Sequence, residues 1–180
     1  MSASLNALIR QDARAFTAFV SEHERAVFAL LSRFLGRSPH VEDLAQETFL
    51  RAYRALPGFD LEGSAKLSTW LLTIAARAAI DFKRKKSPQA GERDDVQDLA
   101  ADSNTPERET GRRELGRQLE EAAATLSDEQ RIILLLSDMH DLSLAEIAQA
   151  VEAPIGTVKT RLFRAREKMR NALTDLQRSQ

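Results

Sequence analysis

The chain has 180 residues, a formal net charge of −1, 43% hydrophobic residues and 29% charged ones, which fits a packed protein of one medium or two small domains and excludes a fully disordered chain. It contains no cysteine, which excludes a disulfide scaffold, a thiolate metal site and a cysteine nucleophile and suits a reducing cytoplasm. Few glycines and prolines argue against a turn-rich all-β fold, apolar runs such as 132–136 are far short of the roughly 20 residues that span a bilayer, and residues 1–10 lack the pattern of a secretory signal.

Phe16, Phe19, Val20, Val27, Leu30, Leu31 and Phe34 recur at helical spacing and predict one long amphipathic helix that stops before Gly36. Ser38 and Pro39 form an N-cap and first-turn pair. Val41, Leu44, Ala45, Phe49, Ala52, Tyr53 and Leu56 then carry a second helix up to Pro57 and Gly58. After a loop at 58–67, Leu67, Trp70, Leu71, Ile74, Ala75, Ala78 and Phe82 mark a third helix, which runs into Lys83, Arg84, Lys85 and Lys86. Residues 87–110 lose the apolar period and read as a flexible acidic linker. Beyond it Leu115, Leu119, Ala122, Ala123 and Leu126 resume a helical stripe. Capping boxes at Ser127 with Gln130 and at Ser143 with Glu146 each open a further helix. Pro154 forces a turn after the second of these, and Val158, Leu162, Ala165, Met169, Ala172, Leu173 and Leu176 line the last helix. The expected fold is all-α: a helical domain at 8–86, a linker at 87–110 and a second helical domain at 111–176.

The small net charge conceals a strong segregation of sign. Lys66, Arg77, Lys83, Arg84, Lys85 and Lys86 face the single acid Asp81 in the first basic zone, and seven cations face Glu167 and Asp175 after residue 155. Residues 142–170 combine a short capped helix, a tight turn and an arginine-rich helix, as a helix-turn-helix requires. Its apolar stripe turns Lys159, Thr160, Phe163 and Arg164 outward, where cations can reach guanine edges or phosphates. Asp43 and Glu47 lie one turn apart on the second helix. Alone they read as a solvated face, and no histidine pattern supports a metal or acid–base site there. Trp70 is either core or a platform on which unpaired bases stack, with Lys83 and Arg84 holding phosphates. Arg77 stands four residues before Asp81, so it is expected to pair with that acid or to face a DNA backbone.

Three segments together resemble the bacterial extracytoplasmic-function (ECF, group 4) sigma factors of the sigma-70 family: Asp-Leu-x-Gln-Glu-x-Phe at 43–49, Thr-Trp-Leu-x-x-Ile-Ala at 69–75 ahead of Asp81-Phe82-Lys83-Arg84, and Glu-Ile-Ala at 146–148 followed by Pro-Ile-Gly-Thr-Val-Lys-Thr-Arg-Leu-x-Arg-Ala-Arg at 154–166. The resemblance covers about residues 16–173. It implies a region 2 domain, a linker and a region 4 domain, and a factor that gives core RNA polymerase its promoter specificity. By resemblance, Asp43, Gln46, Glu47 and Phe49 dock on the largest polymerase subunit. Lys66, Leu67, Trp70, Arg77, Lys83 and Arg84, with the loop at 58–68, match the parts that melt and read the downstream (−10) promoter element. Thr157, Lys159, Thr160, Arg161, Phe163 and Arg164 match the reader of the upstream (−35) element.

Arg77 stands where the family commonly has asparagine, and Leu67 where an aromatic is frequent, so the resemblance fixes no base preference at the downstream element. It implies no catalytic residue, no metal, no cofactor and no small-molecule substrate. The implied partners are core RNA polymerase, promoter DNA and an anti-sigma factor of the kind many relatives have, with no membrane insertion and a cytoplasmic location. Two other readings fit parts of the chain: a conventional helix-turn-helix regulator that binds duplex DNA on its own, and an enzyme using Asp43 and Glu47 as metal ligands.

Overall fold

A computed structural model of the chain describes residues 2–36, 38–60, 66–86 and 106–178. Among them every element is helical: α1 Ser2–Ile9, α2 Ala13–Leu35, α3 Val41–Ala55 followed by a 3-10 turn at Leu56–Gly58, α4 Leu67–Lys86, α5 Pro106–Ala124, α6 Asp128–Asp138, α7 Leu144–Val151 and α8 Ile155–Arg178.

In the first half α2, α3 and α4 pack on one another, and α1 rests against α2 and the 3-10 turn. The stripe foreseen on α2 is buried at Phe19, Val27, Leu30, Leu31 and Phe34. Gly36 follows with φ of 69° and ψ of −151°, a backbone conformation that glycine adopts without a Cβ penalty. Asp12 caps α2, its carboxylate accepting from the Ala15 amide at 2.9 Å. α3 starts later than expected: its N-cap is His40, while the Ser38 hydroxyl accepts from the His40 amide at 3.3 Å in the preceding turn. α1, unforeseen in the sequence, contributes Leu8 to the core.

In the second half α5, α6 and α7 all pack against α8. Both capping boxes form. The Ser127 and Ser143 hydroxyls accept from the Gln130 and Glu146 amides, and those side chains reach back to the serine amides. After α7, Glu152 takes the left-handed conformation, with φ of 52°, and turns the chain into α8. Of the expected linker, residues 87–105 lie outside those described, and 106–110 belong to α5 instead: a proline at a first helical position needs no amide partner, so Pro106 opens this helix.

The halves are in contact. α7 lies on α4, and α6 touches α2 and α4, so buried residues of both halves form one hydrophobic cluster.

Candidate nucleic-acid interface

α8 is held by its apolar stripe. Val158 and Leu162 are buried in the cluster that holds Ile147, Ala165 is buried one turn on, and at 3.6 residues per turn this turns Lys159, Thr160, Phe163 and Arg164 to solvent. Phe163 is 68% exposed. A large aromatic so placed gains nothing for the fold. It leaves an apolar contact among cations, suited to a thymine methyl in a major groove. Ile155, one turn before Lys159 and also exposed, extends the same row. The sequence reading passed over it, although its place at the start of the helix, outside the buried stripe, was the available signal.

Two residues assigned to the upstream set sit differently. Thr157 is half-buried, and Arg161 pairs with Glu129 at 2.8 Å, on the side of the helix that faces α6. Arg166 likewise turns back to Asp138 at 2.6 Å, and this hydrogen bond holds its guanidinium above the ordinary arginine pKa. These two arginines fasten α8 to α6 and leave the outward row as the free cationic edge.

On α4, Lys66 stands at the N-terminus, its carbonyl accepting from the Trp70 amide, and Trp70, Arg77 and Arg84 follow at seven-residue steps along one line of the helix. Trp70 is neither fully buried nor free; its ring meets Phe59 edge-on at 5.2 Å between centroids. Leu67 is half-buried at the start of α4. Arg77 does not pair with Asp81. Its guanidinium crosses to the end of α7, where it donates to the Gln149 carbonyl at 2.7 Å and the Ala150 carbonyl at 3.4 Å, and lies 3.5 Å from the Glu152 carboxylate. The final carbonyls of a helix lack intrahelical partners and carry partial negative charge, so they compete well for a nearby guanidinium. Lys83 reaches Asp128 at the start of α6, 3.6 Å away. A groove of about 420 Å³ runs between α4 and α7, lined by Thr69, Trp70, Thr73, Arg77, Glu146 and Glu152 among others.

On α3, Asp43, Gln46 and Glu47 share an exposed face, with Glu47 paired to Arg51 one turn on. Phe49 is not part of that face. It is 8% exposed and packs edge-on against Phe19, so it supports the helix from behind. The exposed face instead holds Leu50, 54% exposed, at three residues from Glu47 and seven from Asp43. That spacing was readable, but an isolated leucine in a solvated helix carries little signal. Among the described residues no group of three or more histidines and acids is placed to hold a metal ion.

Comparison with known proteins follows the same division. The Sigma-70 region 2 family matches residues 19–89 and the Sigma-70, region 4 family matches residues 116–169. The chain is 36% identical over 174 residues to the ECF RNA polymerase sigma factor SigW of Bacillus subtilis (strain 168), covering 92% of each. It is 32% identical over 178 residues to the RNA polymerase sigma-H factor of Pseudomonas aeruginosa, covering 94% of this chain and 91% of that one. In fold it resembles the sigma factor RpoE of Bartonella quintana, solved with the anti-sigma factor NepR, at a TM-score of 0.71 and 22% identity over 90% of this chain and 98% of that one. It also resembles CnrH, solved with the cytosolic domain of CnrY, at a TM-score of 0.68 and 24% identity over 97% and 96%. With a region 2 bundle, a region 4 helix-turn-helix and this identity along nearly the whole chain, the protein belongs to the ECF RNA polymerase sigma factors.

Proposed function

We propose that this sigma factor directs core RNA polymerase to its promoters by reading two elements in two different ways. The upstream element is read as duplex by Lys159, Thr160, Phe163 and Arg164, with Ile155 beside them. The downstream element is read as an opened strand by α4 and the loop before it. The observation that carries this reading is the outward row of α8, in which cations flank an exposed aromatic on a helix anchored through its opposite face. Cations hold phosphates or guanine edges, and the ring supplies an apolar contact, so both affinity and base discrimination are available from one face. On α4, the line from Lys66 through Trp70 and Arg77 to Arg84 supplies charge for a backbone and an aromatic against which an unstacked base can lie.

The face of Asp43, Gln46 and Glu47, centred on Leu50, is the docking surface for polymerase. An exposed leucine ringed by polar groups has the make-up of a small protein contact. The protein does no chemistry of its own and takes no metal or cofactor. It acts in the cytoplasm, where polymerase is, and no helix among the described residues is long and apolar enough to cross a membrane. An anti-sigma factor, as RpoE of Bartonella quintana has in NepR, is a further expected partner.

Reconstitution tests the reading. Purified chain mixed with core polymerase is expected to form a 1:1 complex and to start transcription only from templates bearing its two-part promoter. Reversing Asp43 and Glu47 to lysine, with Leu50→Glu, is expected to abolish that complex while leaving the helical fold intact, because exposed side chains contribute little to stability. Sequence-specific duplex binding as a dimer, with no effect of polymerase, would establish a conventional regulator instead.

A further inference from the structure

Gly156 is the second residue of α8, and nothing in the fold asks for a glycine there. Its backbone is ordinary helix; among the described glycines only Gly36 has a positive φ. A methyl group at position 156 would meet no atom within 4 Å outside its chain neighbours and the backbone of its own helix, so close packing does not need the space either. Helices are more stable with alanine than with glycine, so glycine here only weakens α8. Openness alone assigns it no role, because Gly116 of α5 is equally open. Its place on the helix does. Gly156, Thr160 and Phe163 are four and three residues apart, so they lie on one line of α8, opposite the buried Val158, Leu162 and Ala165. The line rises from no side chain at 156, through a threonine whose Oγ1 turns back to donate to the Gly156 carbonyl at 3.0 Å, to the exposed ring of Phe163. Ile155, beside Gly156, is exposed, so the end of the helix is bare along its central outward line and not all round.

We infer that Gly156 is a clearance through which the backbone of α8 seats close to the base edges of the upstream element, so that it sets how deeply the helix enters the major groove. This rests on the proposed reading of that element by α8. The second helix of a helix-turn-helix enters the groove with its N-terminal residues at the bases. The groove is about 12 Å wide and a helix with its side chains about 10–12 Å across, so little space is left over. A side chain on the central line at the leading end therefore holds the helix off the bases. Thr160 is next on that line. With its hydroxyl proton given to the Gly156 carbonyl it presents only its oxygen and methyl, a short reach that meets a base only if the backbone ahead of it comes close. Phe163 follows one turn further back, and its contact with a thymine methyl needs the same depth. Lys159 and Arg164 are long and flexible and keep their phosphates when the helix is held off. Gly156 is thus a positioning residue: it reads no base itself, and it decides whether Thr160 and Phe163 do.

Holoenzyme reconstituted from core polymerase and the full-length chain tests this on duplexes selected from a promoter library, with the upstream element intact or scrambled. Gly156→Ala is expected to bind the intact element roughly tenfold more weakly than wild type and the scrambled one equally well, because what it loses is base discrimination. Gly156→Leu is expected to abolish the preference between the two. Gly116→Ala, the same substitution on α5, is expected to keep the wild-type preference, and both alanine variants are expected to melt at or above the wild-type temperature. A lower melting temperature for Gly156→Ala, an undiminished preference for the intact element, an equal loss on both duplexes, or the same loss in Gly116→Ala overturns the clearance. Lys159→Ala and Arg164→Ala, measured alongside, separate it from the reading on which it rests. If either weakens binding to the intact element and Gly156→Ala does not, the clearance fails and the reading stands. If none of the three changes that binding, α8 does not read the element and both fail.

Discussion

His140 shows how a single side chain records the packing of the two halves. It follows α6 in the turn toward α7, its Nε2 is buried with no hydrogen-bond partner, and burial, with Arg33 of α2 adding to it, holds its pKa below 6.5 against the opposing charge of Asp141. A buried imidazole with a depressed pKa binds fewer protons than in the unfolded chain. The stability tied to it is therefore complete above pH 6.5 and is lost as pH falls through the window below that value. His23 is depressed by burial too and acts in the same direction. Denaturant midpoints are expected to drop between pH 7.5 and about 5. His140→Phe is expected to remove part of that slope, with His23 accounting for what remains. On α8 the expectations separate by residue. Alanine at a base-reading cation, Lys159 or Arg164, is expected to cost about 1–3 kcal/mol and relax one promoter position, whereas a phosphate-holding cation weakens all promoters alike. Phe163→Ala is expected to abolish any preference for thymine over deoxyuracil in the upstream element, because only the methyl distinguishes those bases. Selection from a promoter library and binding to uracil-substituted duplexes check these outcomes.

Among the elements, α7 is short and depends on its ends and its partners. Eight residues form a marginal helix in isolation, so the Ser143 capping box and burial of Ile147 supply what propensity cannot. Ser143→Ala is expected to destabilise the second half by about 1 kcal/mol. Ile147→Ala, at a fully buried position, is expected to cost about 2–5 kcal/mol, measured by urea unfolding of the whole chain. The capping boxes, the turn before Pro154 and the long stripes of α2 and α8 were legible because each is a local rule with a fixed spacing. α1 was not, since Leu5, Leu8 and Ile9 make too short a stripe to separate from a terminus. The start of α5 at Pro106 was missed because a charged segment without apolar period looks like a linker, although proline followed by Glu107 and Glu109 is also how a helix begins.

For the molecule as a whole, the shared hydrophobic cluster implies that the halves unfold together at low salt. A single calorimetric transition, with calorimetric and van't Hoff enthalpies equal, is expected, and it is expected to persist at raised salt, because screening weakens the exposed pairs between α4 and α6–α7 and not the apolar contacts. The sequence by itself determined the all-α class, the helix-turn-helix with its outward Lys159, Thr160, Phe163 and Arg164, and the family, because periodicity, caps and motif spacing act over a few turns of one helix. Only the tertiary structure decided that Phe49 is core and Leu50 surface, that Arg161 pairs with Glu129 of α6, and that Arg77 crosses to Gln149, Ala150 and Glu152 rather than meeting Asp81. Those outcomes depend on which unpaired carbonyls and acids another helix brings within reach. A partner more than seventy residues away in sequence leaves no periodic trace at Arg77 itself.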